Sequence, residues 1–298
     1  MREAELALTG VPEGRPRRVG WRTFARRRVM GLTGAAILVF LVLVAAVGPY
    51  LTPHDPYSQD ADALERPSLA HPFGTDKLGR DVLARVVYGS RISLGIGFAA
   101  VSIGVLGGTL LGVASAYFGG AIDYLSQRIV EVILAFPLLV LLLVIAAAVG
   151  PSIKNVIFIM GIVMIPTMSR VVRSIVYPEK EQPYIEAARS LGATNARILF
   201  IHVLPSVIPL AAILASLTLG GMILAEASLS FLGMGVPPPN PSWGADMSGN
   251  ARDYFQHAPW LAIFPGLALS LTILGANLLA ESVRDIVDPF AKQAGPGR

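Results

Sequence analysis

The feature that leaves this chain the fewest choices is a series of uncharged apolar runs, each long enough to cross a bilayer. Val29 to Gly48 is such a run, and Ile92 to Ile122, Val132 to Gly150, Val203 to Ala225 and Ala258 to Ala280 repeat it. Pro151 to about Val172 adds another, interrupted by Lys154 and Arg170. About 20 helical residues rising 1.5 Å each span the roughly 30 Å hydrocarbon core. Backbone groups in that core must pair within their own segment, which selects helices. The expected fold class is therefore an all-α integral membrane protein with six transmembrane helices.

Composition narrows the function. The chain is 53% hydrophobic and 15% charged, and its lack of cysteine excludes disulfides, thiolate catalysis and Cys-ligated zinc. A twin-arginine or secretory signal is the rival reading of Arg26-Arg27-Arg28 and the run after it. It fails because the run is long, no small-x-small cleavage site follows, and five further segments remain. The net charge of +4 invites a nucleic-acid reading, but the basic residues concentrate at the ends of the apolar runs. With the first helix starting inside, 17 of the 24 Lys and Arg fall on the inner side. Both termini are then expected in the cytoplasm.

Between the fourth and fifth runs lies a polar island, Glu186-Ala-Ala-Arg-Ser-Leu-Gly192-Ala-Thr-Asn-Ala-Arg-Ile-Leu-Phe-Ile-His-Val-Leu-Pro205. Pro183 suits the first turn of a helix, and Tyr184, Ala187, Ala188 and Leu191 share one predicted face, away from Glu186, Arg189 and Ser190. Gly192 fits the left-handed residue that ends such a helix, and Thr194 can cap the next. The shape is also that of a DNA-binding helix–turn–helix, but the second helix offers only Asn195, Arg197 and His202 to a groove. No nucleic-acid partner is expected.

Glu-Ala-Ala, three residues, Gly, nine residues and then x-x-Leu-Pro resembles the EAA loop of the membrane subunits of bacterial ABC importers. His202-Val-Leu-Pro205, in place of the more general isoleucine, resembles the peptide and nickel branch. Further matches are His71-Pro-Phe-Gly-Thr-Asp-Lys-Leu-Gly-Arg-Asp81, the Ser230-Phe-Leu-Gly-Met-Gly and Pro241-Ser-Trp-Gly244 sequences, and Asn277 to Pro289. The resemblance implies a type I ABC importer-like fold in the bacterial cytoplasmic (inner) membrane. Its expected layout is a cytoplasmic tail (1–28), a first membrane helix (29–51), an extracytoplasmic segment (52–91), a five-helix permease domain (92–285) holding the coupling loop (181–203), and a cytoplasmic tail (286–298). By the same resemblance Glu186, Ala187, Ala188, Arg189 and Gly192 form a coupling helix that docks into a cytosolic ATPase. The implied partners are a second homologous permease, two ATPase domains, an extracytoplasmic solute-binding protein and membrane lipid. Cargo would be di- or oligopeptides, with nickel or glutathione-type compounds as the alternative.

The remaining polar residues are read from the sequence itself. His54, Asp55, His71 and Asp76 show no regular ligand spacing and read as caps and turns, so no metal site is expected. Arg80, Arg85 and Arg91 suggest an amphipathic elbow along the outer interface. Ala100, Gly104, Gly108, Gly112 and Ala116 form a small-residue stripe for helix packing. Pro137 should bend the third span. Glu226 and Asn277 are pathway candidates, although Glu226 sits where solvent at the outer interface also accommodates it. Glu131, His202 and Glu281 are scattered, and no catalytic set is expected. No Gly-x-x-x-x-Gly-Lys-Ser/Thr loop is present, so ATP and Mg are assigned to the partner ATPases and no cofactor to this chain.

Overall fold

The structure, a computed structural model, describes residues 21–248 and 250–287. The two tails expected at the termini lie largely outside the described residues. The described elements are helical: α1 (Trp21–Leu51), α2 (Val82–Phe118), α3 (Gly120–Leu134), α4 (Leu138–Val149), α5 (Ile153–Glu179), α6 (Pro183–Ser190), α7 (Asn195–Ile198), α8 (Leu204–Phe231), α9 (Trp243–Met247), α10 (Asn250–Asp253) and α11 (Trp260–Val287). A π-helical turn, Leu199–Val203, joins α7 to α8, so Asn195–Phe231 runs on as one span. Among the described residues five helices are long and apolar enough to cross a membrane, or six if the α3–α4 pair counts as one.

That pair is bent by 94°. The break falls at Ala135–Pro137, where the proline lacks the N–H that would continue the ladder. The proline thus bends the chain where expected, but the first arm begins at Gly120 rather than Val132, so Asp123 and Arg128 are helical. Alone, the twelve residues of α4 reach only about 18 Å.

The second span also differs from the sequence reading, since α2 starts at Val82 rather than Ile92. Asp81 sets this start: its carboxylate accepts the Ala84 backbone N–H at 2.7 Å, a cap that hydropathy cannot reveal. Gly119, at φ +66°, ends the helix.

Helices α2 and α5 pack backbone to backbone. Ala100 and Ala116 on α2 are wholly buried, and Gly104, Gly108 and Gly112 between them are buried too. A Cβ on Gly108 would stand 2.4 Å from Met168 Cβ and 2.9 Å from the Ile165 carbonyl. One on Gly112 would stand 2.6 Å from the Ser169 carbonyl. In lipid, close van der Waals approach replaces the hydrophobic drive as the source of association. The central core gathers Leu38, Ile96, Leu142, Met160, Ile223 and Leu229 from five helices.

Candidate functional site

The α6 knob stands at one end of the bundle, at the turn between α5 and α8. Pro183 occupies its first turn, and Ile185 is fully buried with Ala188 half-buried beside it. These two, three residues apart, form the face that holds the knob to its own chain. The seat is made by Ala116 and Tyr117 of α2, Val172 and Val176 of α5, and Ile198, Val203 and Val207 of the following helix. Of the predicted face formed by Tyr184, Ala187, Ala188 and Leu191, only Ala188 turns inward; Tyr184, Ala187 and Leu191 point outward with Glu186, and Leu191 is 89% exposed. Helical phase could not distinguish the two faces, because both contain small or apolar residues. Ile185 was the missing anchor, and as the only β-branched aliphatic residue in α6 it was the available signal.

The turn after α6 is a full Schellman closure. Gly192 donates its N–H to the Arg189 carbonyl at 2.9 Å, and Ala193 donates to Ala188 at 3.0 Å. Gly192 has φ +82° and nothing within 4 Å of an added Cβ, so only backbone conformation demands glycine there. Thr194 then caps α7 by accepting the Arg197 N–H at 3.3 Å. The Tyr117 hydroxyl donates to Asn195 Oδ1 at 2.9 Å, and the Arg189 guanidinium lies 5.6 Å from the Tyr117 ring centre.

Polar links fasten the knob to the spans. Lys180 donates to the Ala116 carbonyl at 2.7 Å. Arg173 makes a bidentate pair with Asp123, both bonds 2.7 Å, tying α5 to α3. The Tyr184 hydroxyl donates to Glu179, and that bond, with partial burial, pushes the phenol up to about 12. His202, in the π turn, stands 5.8 Å from the Tyr184 ring, placing the turn directly under the knob. Pro205 cannot donate to Ile201, and the wider π turn absorbs that missing bond, so the helix continues through the proline.

The opposite end carries a second polar assembly that sequence reasoning assigned wrongly. Arg80 and Arg85 are 8% and 5% exposed, which rules out an elbow lying on the interface. Arg80 donates to Asp76 at 2.6 Å. Arg85 pairs with Asp246 of α9 and also donates to the Pro56 carbonyl at 3.2 Å. Burial pushes the Asp246 carboxyl up, while Arg85 draws it down. Arg91 donates to the Ala45 and Ala46 carbonyls of α1, both at 3.0 Å. The partners of Arg85 and Arg91 come from distant segments, so spacing along the chain held no sign of them, whereas Arg80 and Asp76 are only four residues apart.

Glu226 is fully buried, which overturns solvation at the outer interface as its explanation. Its Oε1 accepts the Ser230 hydroxyl at 2.8 Å, and Ser230 in turn accepts the Val236 N–H at 3.0 Å, so this carboxyl pins the outer loop to α8. Asn277 is exposed on α11, with Oδ1 3.3 Å from the position of a Cβ on Gly220. The two residues do not meet on one open surface. Glu131 pairs with Arg128 at 2.9 Å on the exterior, and Glu281 is exposed on α11, so neither joins His202.

The comparisons with known proteins match this geometry. A family model described as binding-protein-dependent transport system inner membrane component matches residues 108–293, which include the knob and its seat. A second, the N-terminal TM domain of oligopeptide transport permease C, matches residues 16–72. The dipeptide transport system permease protein DppC of Alkalihalophilus pseudofirmus is 39% identical over 269 residues, covering 90% of this chain and 88% of its own. The glutathione transport system permease protein GsiD of Pectobacterium atrosepticum is 40% identical over 296 residues, covering 98% of both chains. That of Escherichia coli O1:K1 is 43% identical over 274 residues, covering 91% of this chain and 90% of its own. With matches over nearly its whole length and a multi-pass helical fold, the chain belongs to the family of binding-protein-dependent transport system inner membrane components.

Proposed function

We propose that this chain is the pore-forming subunit of an ATP-driven importer of short peptides, acting as a transmitter rather than a catalyst. The observation that carries the reading is the α6 knob: one face is fixed by Ile185, and the other presents Glu186, Ala187 and the 89% exposed Leu191 to a partner. Small alanines permit close approach of a cleft, and exposed leucine gains by burial in one. Support for peptide cargo comes from relatives named for dipeptide and glutathione transport, since glutathione is itself a tripeptide.

In this reading ATP and Mg act in two cytosolic ATPase domains, the knob faces the cytoplasm, and both termini lie on that side. Closure of the ATPases moves α6, and the shared seat passes the movement to α2, α5 and α8. A second homologous permease completes the pathway, and an extracytoplasmic solute-binding protein delivers cargo to the opposite end. The transport cycle is then a two-state alternation biased by nucleotide. Of the two pathway candidates, Asn277 keeps that role because it is exposed, whereas Glu226 serves to hold the outer loop.

Proteoliposomes containing the chain with its ATPases, second permease and binding protein test this directly. Gly192→Val forces a β-branched residue to positive φ, and Glu186→Lys reverses the charge of the knob. The double variant should insert normally but lose ATP-coupled uptake of a labelled dipeptide by at least tenfold. Equal uptake by native and double variant, with or without ATPases, would replace the proposal with an ATP-independent channel or secondary transporter.

A further inference from the structure

At the end of the bundle opposite α6, three potential metal ligands converge on one point. His71 Nδ1 lies 2.8 Å from Asp81 Oδ2, and His54 Nδ1 lies 3.7 Å from the same oxygen. All three ligand atoms fall within 4.8 Å of one another, and the two imidazole rings are 4.7 Å apart. One carboxylate oxygen is thus shared by two ring nitrogens. Among the described residues only His71 hydrogen-bonds to it, and His54 Nδ1 is closed to solvent with no hydrogen-bond partner.

Buried polar nitrogens without partners are uncommon, and each one calls for a physical reason. The sequence reading of this segment as caps and turns accounts for Asp55, which accepts the Tyr57 N–H at 2.8 Å, and for Asp76, which takes Arg80. It does not account for His54. We propose that His54, His71 and Asp81 form a divalent transition-metal site of the zinc class. Neutral imidazole nitrogens and a carboxylate are ordinary ligands of zinc, at about 2.0–2.2 Å each. A tetrahedral centre with such bonds separates its ligand atoms by about 3.3 Å. The 2.8 Å pair must therefore open, the 3.7 Å pair close, and the two ring nitrogens, within 4.8 Å of each other, come to the same spacing, changes made by rotation of the side chains.

The surroundings hold the ligands in place. Asp81 is oriented by its other oxygen, which caps α2 through the Ala84 N–H. The His71 carbonyl accepts from Ser68 at 2.9 Å and Gly74 at 2.8 Å, fixing its loop. His54 lies two residues before Pro56, whose carbonyl is held by Arg85. Such outer-shell support maintains metal sites once the ligands are chosen. The His54 side chain is 38% exposed while its Nδ1 is closed to solvent. The bound ion would staple the segment after α1 to the start of α2.

The test uses the full chain in nanodiscs, purified with a tag free of histidine, stripped with chelator and titrated with Zn2+ and with Co2+. Native protein should take up one ion per chain, and Co2+ should give the visible absorption of a low-coordinate nitrogen and oxygen site. His54→Ala and Asp81→Asn should each lose at least tenfold in affinity, whereas His257→Ala should keep it. His54 has no hydrogen bond to lose, so His54→Ala should melt like native protein in chelator, whereas Asp81→Asn keeps the helix cap but loses the oxygen that His71 bonds. Zinc should raise the melting temperature of native protein only. Absence of uptake by native protein, or uptake unchanged in His54→Ala and Asp81→Asn, overturns the proposal.

Discussion

Arg85 and Asp246 lie 161 residues apart in the chain and meet in one buried pair. Removing one charge leaves the other without its partner, at a typical cost of about 3–5 kcal/mol. Arg85→Ala should therefore destabilise strongly, while Arg85→Met with Asp246→Leu should recover much of the loss; thermal melts of both in nanodiscs check this. Recovery separates the cost of an orphaned charge from any net benefit of the pair. Gly192 shows the contrasting case of a residue whose role was legible in advance, because a left-handed turn after a short helix needs glycine whatever surrounds it. Glu226 was misread, since its burial depends on Ser93 and Ser242 from other parts of the fold as well as on Ser230 of its own helix.

Among elements, the α2–α5 contact is fixed most tightly by sequence. Gly108 faces the Ile165 carbonyl, which cannot swing away as a side chain can, so Gly108→Val should cost about 1–3 kcal/mol through overpacking. Gly95, on the same helix with nothing within 4 Å of an added Cβ, provides the control. Gly95→Ala should leave melting unchanged or slightly higher, as alanine favours helix. Equal losses at both positions would show that the stripe is not a close-packing surface. The stripe was visible as a four-residue period, but its partner was not, because periodicity defines a face without naming what covers it. The π turn at Leu199–Val203 was not visible either, as Pro205 permits a break, a kink or a widened turn.

On the scale of the molecule, the two polar ends do different work: one presents a knob, and the other is closed by internal ion pairs. The absence of native cysteine makes each end separately addressable. Leu191→Cys should cross-link to an ATPase subunit in the assembled transporter, whereas Leu69→Cys, fully exposed at the other end, should not. A cross-link from Leu69 and none from Leu191 would invert the proposed orientation. The sequence by itself determined the membrane class, the helical spans and the family, because hydrocarbon thickness and backbone satisfaction act on contiguous residues and the motifs are contiguous too. Tertiary structure alone decided which face of α6 is free, where Arg85 and Arg91 find partners, and that His54, His71 and Asp81 share one point. Those outcomes depend on groups brought together from separate segments, and burial or pairing is a property of the meeting rather than of any stretch of chain.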